Sequence, residues 1–354
     1  MATNLSYSTL DRLLHRIVFG APGLQMTAAD IENAVFGSTY RHLEAARPIF
    51  ITSLPRAGTT VLLEALHLLP GLATHLYRDM PLVMAPILWS KLSGPFRKGA
   101  EMRERAHGDG LRIGFDSPEA FEEVLWMSFW PKKYANDGIA LWAAEDFWEE
   151  VRDFFRDHMR KIIALRHPSG GRYISKNNGN IARLDLLLAM FTDAQIVVPV
   201  RRPVDHAASL LRQHLNFLKR HAEDAFTQRY MADIGHFEFG ALHRPIDFPG
   251  LAELVSGRDP LSLEYWLGYW IAAFEHVLTR ADRLILISHD EMRRDPSSAL
   301  ERLCDVLGID ARDGLAEAAR MFRGAPAATK PEVSCSLRDR AESLHADLMA
   351  GVVA

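Results

Sequence analysis

Two short stretches gather the residue types that hold anions. In the first, Pro55-Arg56-Ala57-Gly58-Thr59-Thr60 lies between an apolar run, Ile49-Phe50-Ile51, and a second one, Val61 to Leu69. Glycine lets a backbone come close to a ligand, the hydroxyls of Thr59 and Thr60 are donors, and Arg56 contributes a fixed planar cation. In the second stretch, Gln195 to Leu211, Arg201 and Ser209 stand eight positions apart. A guanidinium fork and a hydroxyl both reach one phosphate when a strand ends near Arg201 and a helix begins near Val204. Lys176, after the run Arg172 to Ser175, is a third cation at an expected strand end. Each stretch also has a plain structural explanation: a βα turn without a ligand, an Arg201–Asp205 ion pair, a surface lysine. Anion-binding patterns at two separate strand ends favour the functional one.

Strand, glycine-bearing turn and helix is how α/β proteins build a phosphate site. The first N–H groups of a helix have no partner within it, and the aligned peptide dipoles favour negative charge there. Pro70-Gly71 then stops the helix. A Walker loop requires G-x-x-x-x-G-K-[ST]. Here Ser53 takes the place of the first glycine and Thr59 that of the lysine, while the cation has moved to Arg56. This departure speaks against a nucleotide kinase. Further strands are expected at Leu72 to Tyr77, ending in Arg78-Asp79, and at Leu284 to Ser288. A long helix is expected over Leu261 to Leu278, and another from Asp295-Pro296 to Gly308. In a parallel sheet the strand ends carry the ligands, so Asp79 is expected to face the crevice of Arg56.

Together the two anion-binding stretches resemble the sulfotransferases that use 3′-phosphoadenosine 5′-phosphosulfate (PAPS). In that family a P-[KR]-[SA]-G-T-T loop holds the 5′-phosphosulfate, and an Arg and a Ser eight apart hold the 3′-phosphate. Pro55, Arg56, Ala57, Gly58, Thr59 and Thr60 match the loop; Arg201 and Ser209 match the second segment. Arg56 in place of the commoner lysine looks like the tyrosylprotein-type and many bacterial members. The resemblance implies a three-layer α/β sandwich around a short parallel sheet, a P-loop-like sulfotransferase architecture with helical insertions. It implies sulfuryl transfer from PAPS to a hydroxyl of a glycan or other small molecule, release of 3′,5′-ADP, and no metal. Arg56 would stabilise the charge that builds on the leaving 5′-phosphate, and Lys176 would contact the sulfuryl oxygens. Many cytosolic relatives carry Lys-Thr-His where this chain has Lys176-Asn177-Asn178, and asparagine cannot take a proton at neutral pH. The base is therefore sought elsewhere: at Asp79, where tyrosylprotein-type relatives place a Glu, at His75, or at His107, which lies with Asp109 in a glycine-broken loop. The family's R-x-G-x-x-G loop is absent, with Arg323 and Lys330 as its basic remnants.

The chain has 354 residues, 48% hydrophobic and 24% charged, enough for a substantial core. Its βα units follow without a linker, so one domain spans 1–354. It carries a helical segment at 1–47, a tryptophan-rich helical insertion at 80–165 on the acceptor side, and a tail at 320–354. Residues 221–259 read only as a second insertion. The net charge of −4 leaves no general nucleic-acid footprint. Cys304 and Cys335 make neither a disulfide framework nor a metal site. No stretch offers about 18 uncharged apolar residues, and the N-terminus lacks a secretory pattern, so a cytoplasmic protein is expected. A helical stripe of Leu10, Leu13, Leu14, Ile17 and Val18 is expected to pack on its own domain or on a second copy, more often the role of such a stripe than lying on a membrane surface, which leaves a homo-oligomer open. Two rivals stand beside the sulfotransferase: a nucleotide-kinase-like phosphotransferase, and a non-catalytic PAPS- or polysaccharide-binding protein.

Overall fold

The computed structural model describes residues 15, 18–20, 23–93, 103–104, 112–113, 117–118, 120–322 and 333–353. Of the residues singled out above, His107, Asp109, Arg323, Lys330, Leu10, Leu13, Leu14 and Ile17 lie outside the described residues. The strands are β1 (Ile49–Ile51), β2 (Leu72–Ala73), β3 (Arg103–Glu104), β4 (Arg112–Ile113), β5 (Arg172–Lys176), β6 (Gln195–Val200) and β7 (Ile285–Ser288). Five of them form one sheet in the order β2-β5-β1-β6-β7. Every neighbouring pair in it is parallel. β3 and β4 pair antiparallel as a separate hairpin. The helices among the described residues include α1 (Leu24–Tyr40), α2 (Thr59–His67), α3 (Glu123–Phe129), α4 (Glu149–Arg166), α5 (Pro203–Glu223), α6 (Leu263–Leu278), α7 (Pro296–Leu307) and α8 (Cys335–Ala350). No helix among the described residues is long and apolar enough to cross a membrane.

The sheet is covered on both faces, as a parallel sheet must be, and its strands alternate between two cores. Ile49, Ile51, Ile174, Val197 and Ile287 join Leu62 and Leu66 of α2 and Leu300 and Leu303 of α7 on one side. Phe50, Tyr173, Ile196, Val198 and Leu286 join Phe155 of α4, Leu210 of α5, and Trp266 and Trp270 of α6 on the other. The three-layer expectation holds. So does the long aromatic helix: Tyr265, Trp266, Tyr269 and Trp270 are all buried, and Ser262 caps α6 by accepting the Tyr265 N–H at 3.3 Å.

Two expectations about the backbone are corrected. The strand at Leu72 stops after Ala73. Beyond it side chains take part of the backbone: Arg166 donates to the Thr74 carbonyl (3.1 Å), and the Asp79 carboxylate accepts the Leu76 N–H (2.9 Å), while Leu76 and Tyr77 meet Pro118 and Ser117 in a single antiparallel bridge outside the sheet. The segment read as a tail contains α8, which buries Leu337, Ala341, Leu344 and Leu348 at helical spacing. After α8, the Val353 N–H bonds to the Leu286 carbonyl at 3.0 Å, extending the edge of the sheet at β7.

Candidate functional site

β1 and β5 end level, at Ile51 and Lys176, and β6 and β7 end level, at Val200 and Ser288, so the residues that follow these four parallel strands meet at one end of the sheet. Pro55, Arg56, Gly58, Thr59, Thr60, Lys176, Asn178, Arg201 and His289 line one cavity of ≈ 220 Å³. A crevice beyond the carboxyl ends of the strands is where open α/β sheets place ligands. Ser209 reaches this group through Arg56, whose Nε lies 3.4 Å from its hydroxyl.

The loop from Ser53 to Gly58 is pinned by its own polar groups. Ser53 donates to the Pro199 carbonyl (2.8 Å). His206 Nε2 bonds the Pro55 carbonyl at 2.7 Å, and Arg201 Nη1 the Arg56 carbonyl at 2.8 Å. Burial, reinforced by Arg201, pushes the His206 imidazole well below its usual value, so it is neutral and donates. These bonds occupy the Pro55 and Arg56 carbonyls with donors from α5 and from the end of β6. Gly58 has φ +87° and a Cβ there would sit 3.1 Å from the His289 ring, so both its conformation and its space require glycine. Arg56 also has a positive φ, +73°, an uncommon conformation for a non-glycine residue that the surrounding bonds must hold.

Electrostatically the cavity is dominated by cations: Arg56, Lys176, Arg201 and Arg293 line it against the carboxylate of Glu238. Burial, and then Arg56, lower the Arg201 pKa to about 10, with Arg293 and Arg212 acting in the same direction and only Asp205 against. A buried guanidinium crowded by like charges is stabilised by a bound anion, since an opposite charge offsets both the burial and the crowding. The Arg201–Asp205 ion pair that would have explained Arg201 structurally gives way to the bond to the Arg56 carbonyl.

Thr59 does not aim its hydroxyl at the cavity alone; it donates to Asn178 Oδ1 at 3.2 Å. Asn178 Nδ2 continues to Glu238 Oε1 (3.5 Å), and Glu238 Oε2 meets His236 Nδ1 (3.3 Å). His236 and Glu238 thus belong to the site, although the sequence placed them only in an unassigned insertion. Their signal was weak: two polar residues flanking Phe237, with no spacing that marks a ligand. Burial presses the Glu238 carboxyl upward, but the His236 and Lys176 charges outweigh it and hold it down at about 2.

A second, smaller chamber of ≈ 40 Å³ shares Pro55, Lys176, Asn178, His236, Glu238 and Phe239 with the first. Its other walls are mainly apolar, including Leu54, Ile139, Ile246 and Trp266. Behind it Arg183 is buried between Trp126 and Trp142, its Cζ 4.6 and 4.4 Å from their ring centroids. Arg183 Nη2 donates to Glu123 Oε1 at 2.8 Å. Burial alone would raise the Glu123 pKa; Arg183 reverses this and lowers it. Two of the insertion's tryptophans therefore sandwich one buried ion pair, and Trp130 stacks on Trp126 behind them.

Asp79 and His75 stand apart from both cavities. Asp79 is buried and takes Arg166 on both carboxylate oxygens, with Oδ1 at 2.7 Å. Arg166 and His75 overcome the burial that would raise its pKa, and it is lowered. His75 stacks on His158 with the ring nitrogens 2.9 Å apart. The early end of β2 explains the placement, since the chain turns at Tyr77–Asp79 toward α4 before reaching the crevice.

Comparison with known proteins was made against this geometry. No curated protein sequence matches the chain. Among solved structures it is similar to sulfotransferase STF9 from Mycobacterium avium, at 14% identity and a TM-score of 0.53, covering 98% of this chain and 86% of that one. It is also similar to sulfotransferase STF1 from Mycobacterium tuberculosis H37Rv, at 13% identity and a TM-score of 0.51, covering 98% and 88%. At such identities the likeness speaks for the fold. A family model described as "Sulfotransferase family" matches residues 48–244, more than half of the 354 residues, from the strand before the anion loop through the His236 turn. Parallel sheet, cationic crevice and family match agree, and the chain belongs to the sulfotransferase family.

Proposed function

We propose that this chain transfers a sulfuryl group from PAPS to the hydroxyl of a small-molecule acceptor and releases 3′,5′-ADP. The observation that carries the reading is the convergence of Arg56, Lys176 and Arg201 on one cavity above the N-terminus of α2. Two phosphate-bearing ends of one nucleotide account for two groups of cations better than a single anion does. In this reading Gly58 and Thr60, at the start of α2, cradle the 5′-phosphate, with Pro55 and Ala57 shaping the loop. Thr59 holds Asn178 in place. Arg201 and Ser209, joined through Arg56, take the 3′-phosphate. Lys176, at the boundary of the two cavities, faces the sulfuryl oxygens, and Arg56 stabilises the charge that builds on the leaving 5′-phosphate. Transfers of this kind depend on positioning and charge stabilisation, which a rigid cationic crevice supplies. The acceptor approaches from the apolar chamber, and the whole chain works as one cytoplasmic catalytic domain.

Calorimetric titration with 3′,5′-ADP, and separately with ATP and magnesium, tests the reading. 3′,5′-ADP is expected to bind the tighter, and Arg201→Ala to weaken it by about 1.5–3 kcal/mol, the size of a charged hydrogen bond. A preference for ATP, or indifference to Arg201, overturns it in favour of a phosphotransferase.

A further inference from the structure

Asn178 leaves the usual strand-end position without a proton acceptor, and Asp79 and His75 are committed elsewhere. The turn from Gly235 to Gly240 brings in the missing group. We propose that His236 is the general base of the transfer and that Glu238 positions it; this rests on the sulfuryl-transfer reading above.

Four features place the pair. It lies at the boundary of the two cavities, where an acceptor hydroxyl from the apolar chamber meets a donor in the cationic one. The turn is built to hold it. Gly235, at φ +80°, packs so closely on Glu123 that a Cβ would fall 2.4 Å from its Cγ, and Glu123 is fixed by Arg183. His243 bonds the Glu238 carbonyl (2.8 Å) through Nδ1 and Tyr265 (2.8 Å) through Nε2. Finally, the carboxylate fixes the tautomer. An ionised Glu238 can only accept, so His236 Nδ1 carries the proton and Nε2 bears the basic lone pair. Asn178 restrains the other carboxylate oxygen and ties the pair to Thr59 of the anion loop. Glu238 itself is held too acidic to be an effective base near neutral pH. Around the pair stand Lys176 from β5, Glu123 beneath the turn, His243 on its far arm and Arg56 across the cavity.

In the step, the acceptor oxygen forms a bond to sulfur as its proton passes to His236 Nε2. The bond from sulfur to the bridging oxygen of the donor breaks, and its electron pair stays on the 5′-phosphate of 3′,5′-ADP. Glu238 then carries the charge opposite an imidazolium, without taking the proton.

The test uses the full chain and His236→Gln, Glu238→Gln and Glu238→Asp. Titration with 3′,5′-ADP reports the donor site. Release of 3′,5′-ADP from PAPS, in water and with a panel of small phenols and alcohols, reports turnover. An NMR titration of labelled histidine, assigned with His236→Gln, reports the imidazole. Expected are retained 3′,5′-ADP binding in all variants and a turnover loss of roughly 10²- to 10⁴-fold in His236→Gln. Glu238→Gln is expected to lower the His236 titration midpoint and Glu238→Asp to restore part of it. Glu238→Asp, the mildest change, keeps the comparison available if another variant fails to fold. Full turnover in His236→Gln overturns the assignment, as does a wild-type chain that binds 3′,5′-ADP but releases none from PAPS. Loss in Glu238→Gln alone moves the base to the carboxylate. Failure of the wild type to bind 3′,5′-ADP removes the sulfuryl-transfer reading itself, and is distinguishable because it precedes any variant.

Discussion

Glu122 shows how one carboxyl beside the site couples stability to pH. It accepts from Ser175 of β5 and from Trp126 Nε1 at 3.3 Å, and burial, only partly offset by those bonds and by Arg183, raises its pKa to about 7. An unfolded Glu titrates near 4.5, so between these values the folded chain binds more protons than the unfolded one. Stability contributed at this site therefore falls as pH rises through that window. The cost is complete above the folded pKa and amounts to roughly 3 kcal/mol at most. Glu122→Gln is expected to be more stable than wild type at pH 8 and close to it at pH 5, measured as urea unfolding midpoints at both pH values. The histidines that titrate in the same range act on both proteins alike and cancel in the difference. An equal gap at both pH values would show that the carboxyl carries no such penalty.

Among elements, the turn at Gly235 joins the tryptophan-rich cap to the chemistry. Gly235→Ala forces a left-handed alanine into Glu123, and is expected to cost more than about 1 kcal/mol of stability. It should also reduce turnover while leaving 3′,5′-ADP binding in place; unaltered turnover would mean that the turn does not position His236. What the sequence disclosed about this region follows from range. Arg56 to Thr60, Lys176, and Arg201 with Ser209 were legible because each anion-binding pattern is confined to one strand end and the helix after it. His236 and Glu238 were not, since their meaning depends on Asn178, Lys176 and Glu123, dozens of positions away. Asp79 was misplaced for a related reason: the alternation after Leu72 reads as strand, while Arg166, far along the chain, takes the backbone and the carboxylate. The helix at Cys335–Ala350 was visible in its Leu337, Ala341, Leu344 and Leu348 stripe, but the Ala-, Pro- and Gly-rich residues before it gave the segment the look of a tail.

At the scale of the molecule, overall and local charge have opposite signs. The chain carries a net charge of −4, yet its crevice concentrates Arg56, Lys176, Arg201 and Arg293. If the mean charge governed encounter, added salt would speed the approach of an anionic nucleotide. The local cluster predicts the opposite, because a cleft focuses the field of the charges that line it and salt screens that field over roughly 10 Å at 0.1 M. The association rate of 3′,5′-ADP, followed by stopped flow, is expected to fall as ionic strength rises. A rate that climbs with salt would set the cluster aside as a steering element.

The strand order has a consequence for how the chain is made. β1 lies in the middle of the sheet, with Ile49 paired to Ile174 on one side and to Gln195 on the other, 125 and 146 positions later. At a synthesis rate of about 5–20 residues per second, Ile49 is made roughly 6–25 s before the first of these partners. The nascent anion loop and its Ile49-Phe50-Ile51 strand must therefore wait, unpaired, for most of the cap to be translated. Much of that wait is translation of 80–165, so the length of this insertion sets a delay as well as a shape.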